Sequence, residues 1–158
     1  MDRNVAELFG RLQKIVVNGS LVPFQGTEPM QAIGLKHDEF LALGEAGLLN
    51  SGNKSKLASD GDEIYFFLHG RRKVVRAHMQ GAERYGLNLD GHLLTTAGEQ
   101  LVAVGDFSHD EAVLNSILVW IEHLMPTKAS LFIADVPAGR TADTEGLQWA
   151  ELPRRKLR

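Results

Sequence analysis

The tightest constraint on this fold is a change of hydrophobic period in mid-chain. Glu63-Ile-Tyr-Phe-Phe-Leu-His69 is dense in β-formers, and after Gly70-Arg71 the run Arg72-Lys-Val-Val-Arg-Ala-His78 resumes an extended pattern. Two such runs around a glycine-containing break predict a β-hairpin. On either side of it, apolar residues recur at the three-and-four spacing of amphipathic helices. A chain that mixes the two periods in this way is expected to fold as α+β.

Before the hairpin, Asp2 to Val17 sets Val5, Leu8, Phe9, Leu12, Ile15 and Val16 at helical spacing, and Asn18-Gly19 supplies a stop. Ser20 to Met30 holds Pro23, Gly26 and Pro29 and reads as a connecting loop, with a short extended piece at Leu21 to Phe24. A second helix is expected from near Lys36, where Asp38 and Glu39 suit the positive end of the helix dipole. Gly44 and Gly47 are expected to bend or end it. Asn50 to Asp62 is polar and reads as a loop.

After the hairpin, Met79 to Tyr85 reads as a short helical turn, Gly86 to Leu94 as extended chain, and Thr95 to Leu101 as a helix start. The clearest helix follows Ser108, whose spacing to Glu111 predicts a capping box. Val113, Ile117, Trp120, Ile121 and Leu124 then share one face until Pro126 closes it. Trp120 on that stripe belongs in the core, and Trp149 reads as a core or interface anchor. Ala129 to Val136 and Leu147 to Leu152 complete a second hairpin around Pro137 to Gly146.

The 158 residues suffice for one domain, expected over 1–152 with a basic tail at 153–158. Hydrophobic residues are 44% and charged ones 23%, which excludes wholesale disorder. A net charge of −3 excludes a globally basic nucleic-acid coat. The absence of cysteine removes disulfides, thiolate catalysis and cysteine-based metal sites, and fits a reducing compartment. No apolar run approaches the ~20 residues that span a bilayer, and residues 1–10 lack a signal-peptide core. A cytoplasmic protein without a membrane partner is therefore expected.

Ala46-Gly-Leu-Leu49, the two strands around Gly70, and His92-Leu-Leu-Thr-Thr-Ala-Gly-Glu-Gln-Leu101 together resemble a winged-helix pattern, as in regulators of the multiple-antibiotic-resistance and PadR types. From Phe9 onward the chain is also similar to the C-terminal region of a bacterial protein family of unknown function. The resemblance implies winged-helix-like helices and a hairpin over about 1–103, followed by a helix plus hairpin over 108–152. In such a domain the helix before Gly47 reads DNA. Here it carries Asp38, Glu39 and Glu45 against Lys36 alone, which suits a winged-helix fold better than a winged-helix DNA reader.

Arg71, Arg72, Lys73 and Arg76 form the sharpest charge cluster, and a wing built from this hairpin would set them against phosphates. The plainer reading is a charged hairpin that resists edge-to-edge pairing. From Glu99 to Glu151 there are nine acidic residues against Lys128 and Arg140, a local charge of −7. That half is expected to pair with the basic hairpin within one chain or between protomers. Arg154, Arg155, Lys156 and Arg158 supply a second basic cluster.

His-Asp-Glu occurs at His37-Asp38-Glu39 and again at His109-Asp110-Glu111. Neighbouring side chains on a helix diverge, so both are read as helix starts rather than metal sites. His69, His78, His92 and His123 lack metalloprotease spacing, and no nucleophile elbow, P-loop or dinucleotide fingerprint is present. The expected function is a non-catalytic interaction domain, without cofactor or metal, that binds a protein partner or itself. The alternative is nucleic-acid binding through Arg71, Arg72, Lys73 and Arg76.

Overall fold

The amphipathic N-terminal segment starts where the Asp2 carboxylate accepts the Asn4 N–H at 3.0 Å, capping helix α1 (Arg3–Leu12). The computed structural model describes residues 1–50, 54–58, 62–79, 86–105, 110–125, 129–137 and 144–153. The first helix ends sooner than its period suggests, in a 3₁₀ turn at Gln13–Ile15, after which Val16 takes extended backbone. The left-handed pair Asn18 (φ 54°) and Gly19 (φ 77°) then turns the chain into strand β1 (Leu21–Pro23).

The segment expected as a loop also holds helix α2 (Glu28–Ile33). Pro29 stands in its first turn and Gly34 caps it at φ 63°, the favoured residues at the two ends of a helix. Six residues are too few to display a period. Helix α3 (His37–Glu45) starts after Lys36, as expected, and ends before a left-handed Gly47. The Glu39 carboxylate accepts the Lys36 N–H at 2.9 Å, which holds the first turn closed.

Two antiparallel sheets follow. In the first, β6 (Gly86–Leu94) lies between β1 on one side and β2 (Leu49–Asn50) with β3 (Lys54–Ala58) on the other. Strand β3 falls in a stretch expected as a loop. Its Lys and Ser residues carry little β preference, so pairing with β6 decides its conformation. The second sheet runs β4 (Glu63–Leu68), β5 (Lys73–Met79), β7 (Ala129–Asp135), β8 (Ala150–Leu152). The central hairpin thus forms as expected, but β7 rather than β6 is its neighbour, so the two hairpins of the sequence build one sheet. Asn18 joins the sheets: its N–H donates to the Phe67 carbonyl and its Oδ1 accepts the Phe67 N–H, both at 2.8 Å.

Helices α4 (Thr96–Val104) and α5 (Glu111–Leu124) complete the described α+β fold. Asp110 caps α5, accepting the Val113 N–H at 3.2 Å; Ser108, the cap expected from the sequence, lies outside the described residues, as do His109, 80–85 and 154–158. Val113, Ile117, Trp120 and Ile121 are buried, with Trp120 only 6% exposed. One hydrophobic core draws on α1, α3, β4, β5, α5 and β7.

The Gly47-Leu48-Leu49 step and the Leu94-to-Leu101 step are two halves of one joint. Thr95 Oγ donates to the Gly47 carbonyl at 2.6 Å and accepts the Gly98 N–H at 3.2 Å, while Thr95 N–H donates to the Leu48 carbonyl at 3.1 Å. Gly98 lets α4 lie against that carbonyl, since a Cβ there would sit 2.5 Å from Leu48 O.

Candidate functional site

Alternation along β4 and β5 divides the second sheet into two faces. Ile64, Phe66, Val75, Ala77 and Leu131 face the main core. The outer face carries Tyr65, Phe67, Val74, Arg76 and Phe132, under which Val74, Ala134 and Val136 form a small second cluster with Leu147 and Trp149. Register sets Tyr65, Arg76, Phe132 and Glu151 in one row across the four strands.

Arg76 is the centre of this face. Its guanidinium carbon lies 4.8 Å from the Phe132 ring centre and 4.5 Å from that of Trp149, within cation–π range of both rings. Tyr65 and Trp149 stand 6.3 Å apart at 49°. The buried Nε of Arg76 has no hydrogen-bond partner. Tyr65 donates to Glu63 at 2.5 Å, and burial followed by that carboxylate pushes its phenol above the usual range. The face therefore carries half-buried aromatic rings and a guanidinium held between two of them.

The four hairpin cations do not form one comb. Arg71 is exposed in the turn, its guanidinium 5.1 Å from the centre of the Phe67 ring. Arg72 is exposed beside it. Lys73 pairs with Asp135 of the acidic half at 2.6 Å, directly across the β5–β7 ladder. Arg76 lies between the rings on the outer face. Alternation along β5 sends Lys73 and Arg76 to opposite faces.

On α3, Glu39 is turned into the fold. Arg11 binds it at 3.0 Å and also donates to the Ile33 and Gly34 carbonyls, each at 3.3 Å, tying α1, α2 and α3 together. The Lys36 N–H, aided by Arg11, holds the Glu39 carboxyl below its ordinary range. Asp38 and Glu45 remain exposed. His37 Nδ1 meets Gln25 Oε1 at 3.2 Å, so the three side chains of His37-Asp38-Glu39 diverge. Asp110 caps α5 and meets Lys14 at 3.4 Å, and the Val113 N–H chiefly keeps its carboxyl low. Among the described residues no three His, Cys, Asp or Glu side chains converge as a metal site would require, and no helix is long and apolar enough to cross a membrane.

The remaining histidines serve the fold. His69 is buried, His123 pairs with Glu28 across α5 and α2 at 2.8 Å, and His78 lies 3.7 Å from Glu63. His92 packs between Phe24 and Phe40 at 4.9 and 4.7 Å. Burial there lowers its pKa and leaves Nδ1 without a partner.

Tyr65 and Phe132 escaped the sequence reading. The available signal was the apolar character of both alternations in Ile64 to Leu68, which marks a strand covered on two faces. No protein-family model, curated protein or solved structure matches this chain.

Proposed function

We propose that this chain is a non-catalytic interaction domain that docks on a second copy of itself, or on another protein, through the outer face of β4, β5, β7 and β8. The observation that carries the reading is the Arg76 guanidinium held between Phe132 and Trp149, with Tyr65 alongside. Trp, Tyr and Arg dominate binding energy at protein interfaces. A guanidinium already held in place loses little freedom on docking. Glu63 and Glu151 on the same face favour a protein over a phosphate backbone. A bacterial cytoplasm is the proposed setting, in keeping with a chain free of cysteine.

Sedimentation velocity over a wide concentration range tests this. The chain is expected to self-associate, and Trp149→Ala and Phe132→Ala to weaken that association while the domain stays folded. Association left unchanged by both substitutions would refute the assignment of the face.

One observation favours nucleic-acid binding as a second reading. The turn of the β4–β5 hairpin sets Arg71 and Arg72 side by side and exposed. Against a duplex, these two exposed cations would meet phosphates. Duplex affinity would then follow a slope of about −2 in log salt, at ~0.9 per phosphate. Tight, sequence-selective binding abolished by Arg72→Ala would promote this reading over the interaction domain.

A further inference from the structure

All three non-glycine residues with left-handed backbone among the described residues stand in two turns, Asn18 (φ 54°) in one and His69 (51°) and Arg71 (67°) in the other. These turns face each other. With one side of α4 they wall an open cleft of about 370 Å³, lined by Asn18, Gly19, Arg71, Glu99, Val102 and Ala103 among others. That volume lies at the small end of the ~300–1,000 Å³ typical of small-molecule sites.

The strain in the two turns is unequally explained. Asn18 is held by its two bonds to Phe67, and asparagine tolerates the left-handed region. Arg71 does not share that tolerance. Its turn is closed by the Arg72 N–H donating to the His69 carbonyl at 3.2 Å, a bond that a glycine or asparagine at 71 would allow without strain. What those residues lack is a guanidinium in the cleft. Strained backbone that persists where an easier residue would fit points to a role for the side chain.

The Arg71 head is also positioned. It lies over the Phe67 ring at 5.1 Å and beside the Gly19 turn, where a Cβ on Gly19 would stand 3.9 Å from its Nε, an ordinary contact distance. The cleft offers one cation, one carboxylate from Glu99, and an apolar wall formed by exposed Ala103 over buried Val102. An anion alone would meet Glu99, and a cation alone would meet Arg71. A molecule with both charges and a short apolar part satisfies all three walls.

We propose that this cleft binds a free α-amino acid, its carboxylate on Arg71, its ammonium toward Glu99 and its side chain against Ala103. The test is isothermal titration calorimetry of the full chain against the L-amino acids one at a time, with acetate and methylamine as half-ligands. At least one amino acid with an aliphatic side chain is expected to bind saturably, and neither half-ligand to match it. Arg71→Asn and Glu99→Gln should each weaken binding by roughly tenfold to a hundredfold, the range for hydrogen bonds to charged groups. Ala103→Phe should fill the cleft and abolish binding. Should Arg71→Asn disturb the turn, Glu99→Gln and Ala103→Phe decide the matter, since both change exposed positions on α4. The proposal is overturned if no amino acid binds saturably, if acetate binds as tightly as the amino acid, or if Glu99→Gln leaves affinity unchanged.

Discussion

Replacing Gly98 with alanine sets two effects of opposite sign against each other. Helix propensity alone favours alanine in α4 by about 1 kcal/mol. Against it, the new Cβ would lie 2.5 Å from Leu48 O and 3.2 Å from Leu94 Cβ. The Leu48 carbonyl cannot swing away freely, because it accepts the Thr95 N–H at 3.1 Å. Helix α4 must therefore shift, at an overpacking cost of about 1–3 kcal/mol. Moving it also strains the bonds of Thr95 to Gly47 and Leu48, each contributing about 1 kcal/mol. The clash wins, and Gly98→Ala should destabilise the protein by about 1–3 kcal/mol. Urea unfolding followed by far-ultraviolet circular dichroism should show a lower midpoint at unchanged slope. Thr95→Ala, which removes a cap worth about 1 kcal/mol, should combine less than additively with Gly98→Ala, because both break one joint. A Gly98→Ala protein as stable as the parent, or more so, would refute the claim that the two motifs meet at this glycine.

Two further substitutions probe the core. Trp120, 6% exposed at the centre of α5, should cost about 3–5 kcal/mol on replacement by alanine; a loss under 1 kcal/mol in urea unfolding would contradict its packing. His92 is held neutral by burial, with a pKa below its ordinary 6.5. Below that value the unfolded chain takes up a proton that the folded chain refuses, so stability falls as pH drops through the window beneath 6.5, by at most about 1.4 kcal/mol per pH unit. His92→Phe should flatten that part of the profile between pH 7.5 and 5, whereas parallel profiles for the two proteins would contradict the burial.

The parts of the fold that show in the sequence are those with a long period or a specific cap. The stripe from Val113 to Ile121 locates α5, the β-formers around Gly70 locate β4 and β5, and Thr95 marks the start of α4. Helix α2 stays hidden because one and a half turns show no periodicity. Strand β3 stays hidden because Lys54 to Ala58 gains its strand from β6, far along the chain. The same limit governs the candidate site. The run Arg71 to Arg76 reads as one basic patch, yet alternation along β5 and the partners Asp135, Phe132 and Trp149 divide it, and only tertiary register brings those partners into place. Trp149 could be recognised as an anchor from its type, but its cation could not.

The most direct test of the docking face uses Trp149 itself. With Trp120→Phe, Trp149 is the single tryptophan of the chain, and its emission can be followed from nanomolar to high micromolar protein, with iodide as quencher. The docking reading predicts that its emission moves to shorter wavelength and its quenching falls as concentration rises, and that Phe132→Ala shifts this transition to higher concentration. Emission and quenching that stay constant while sedimentation shows the chain associating would place the contact elsewhere and contradict the assignment.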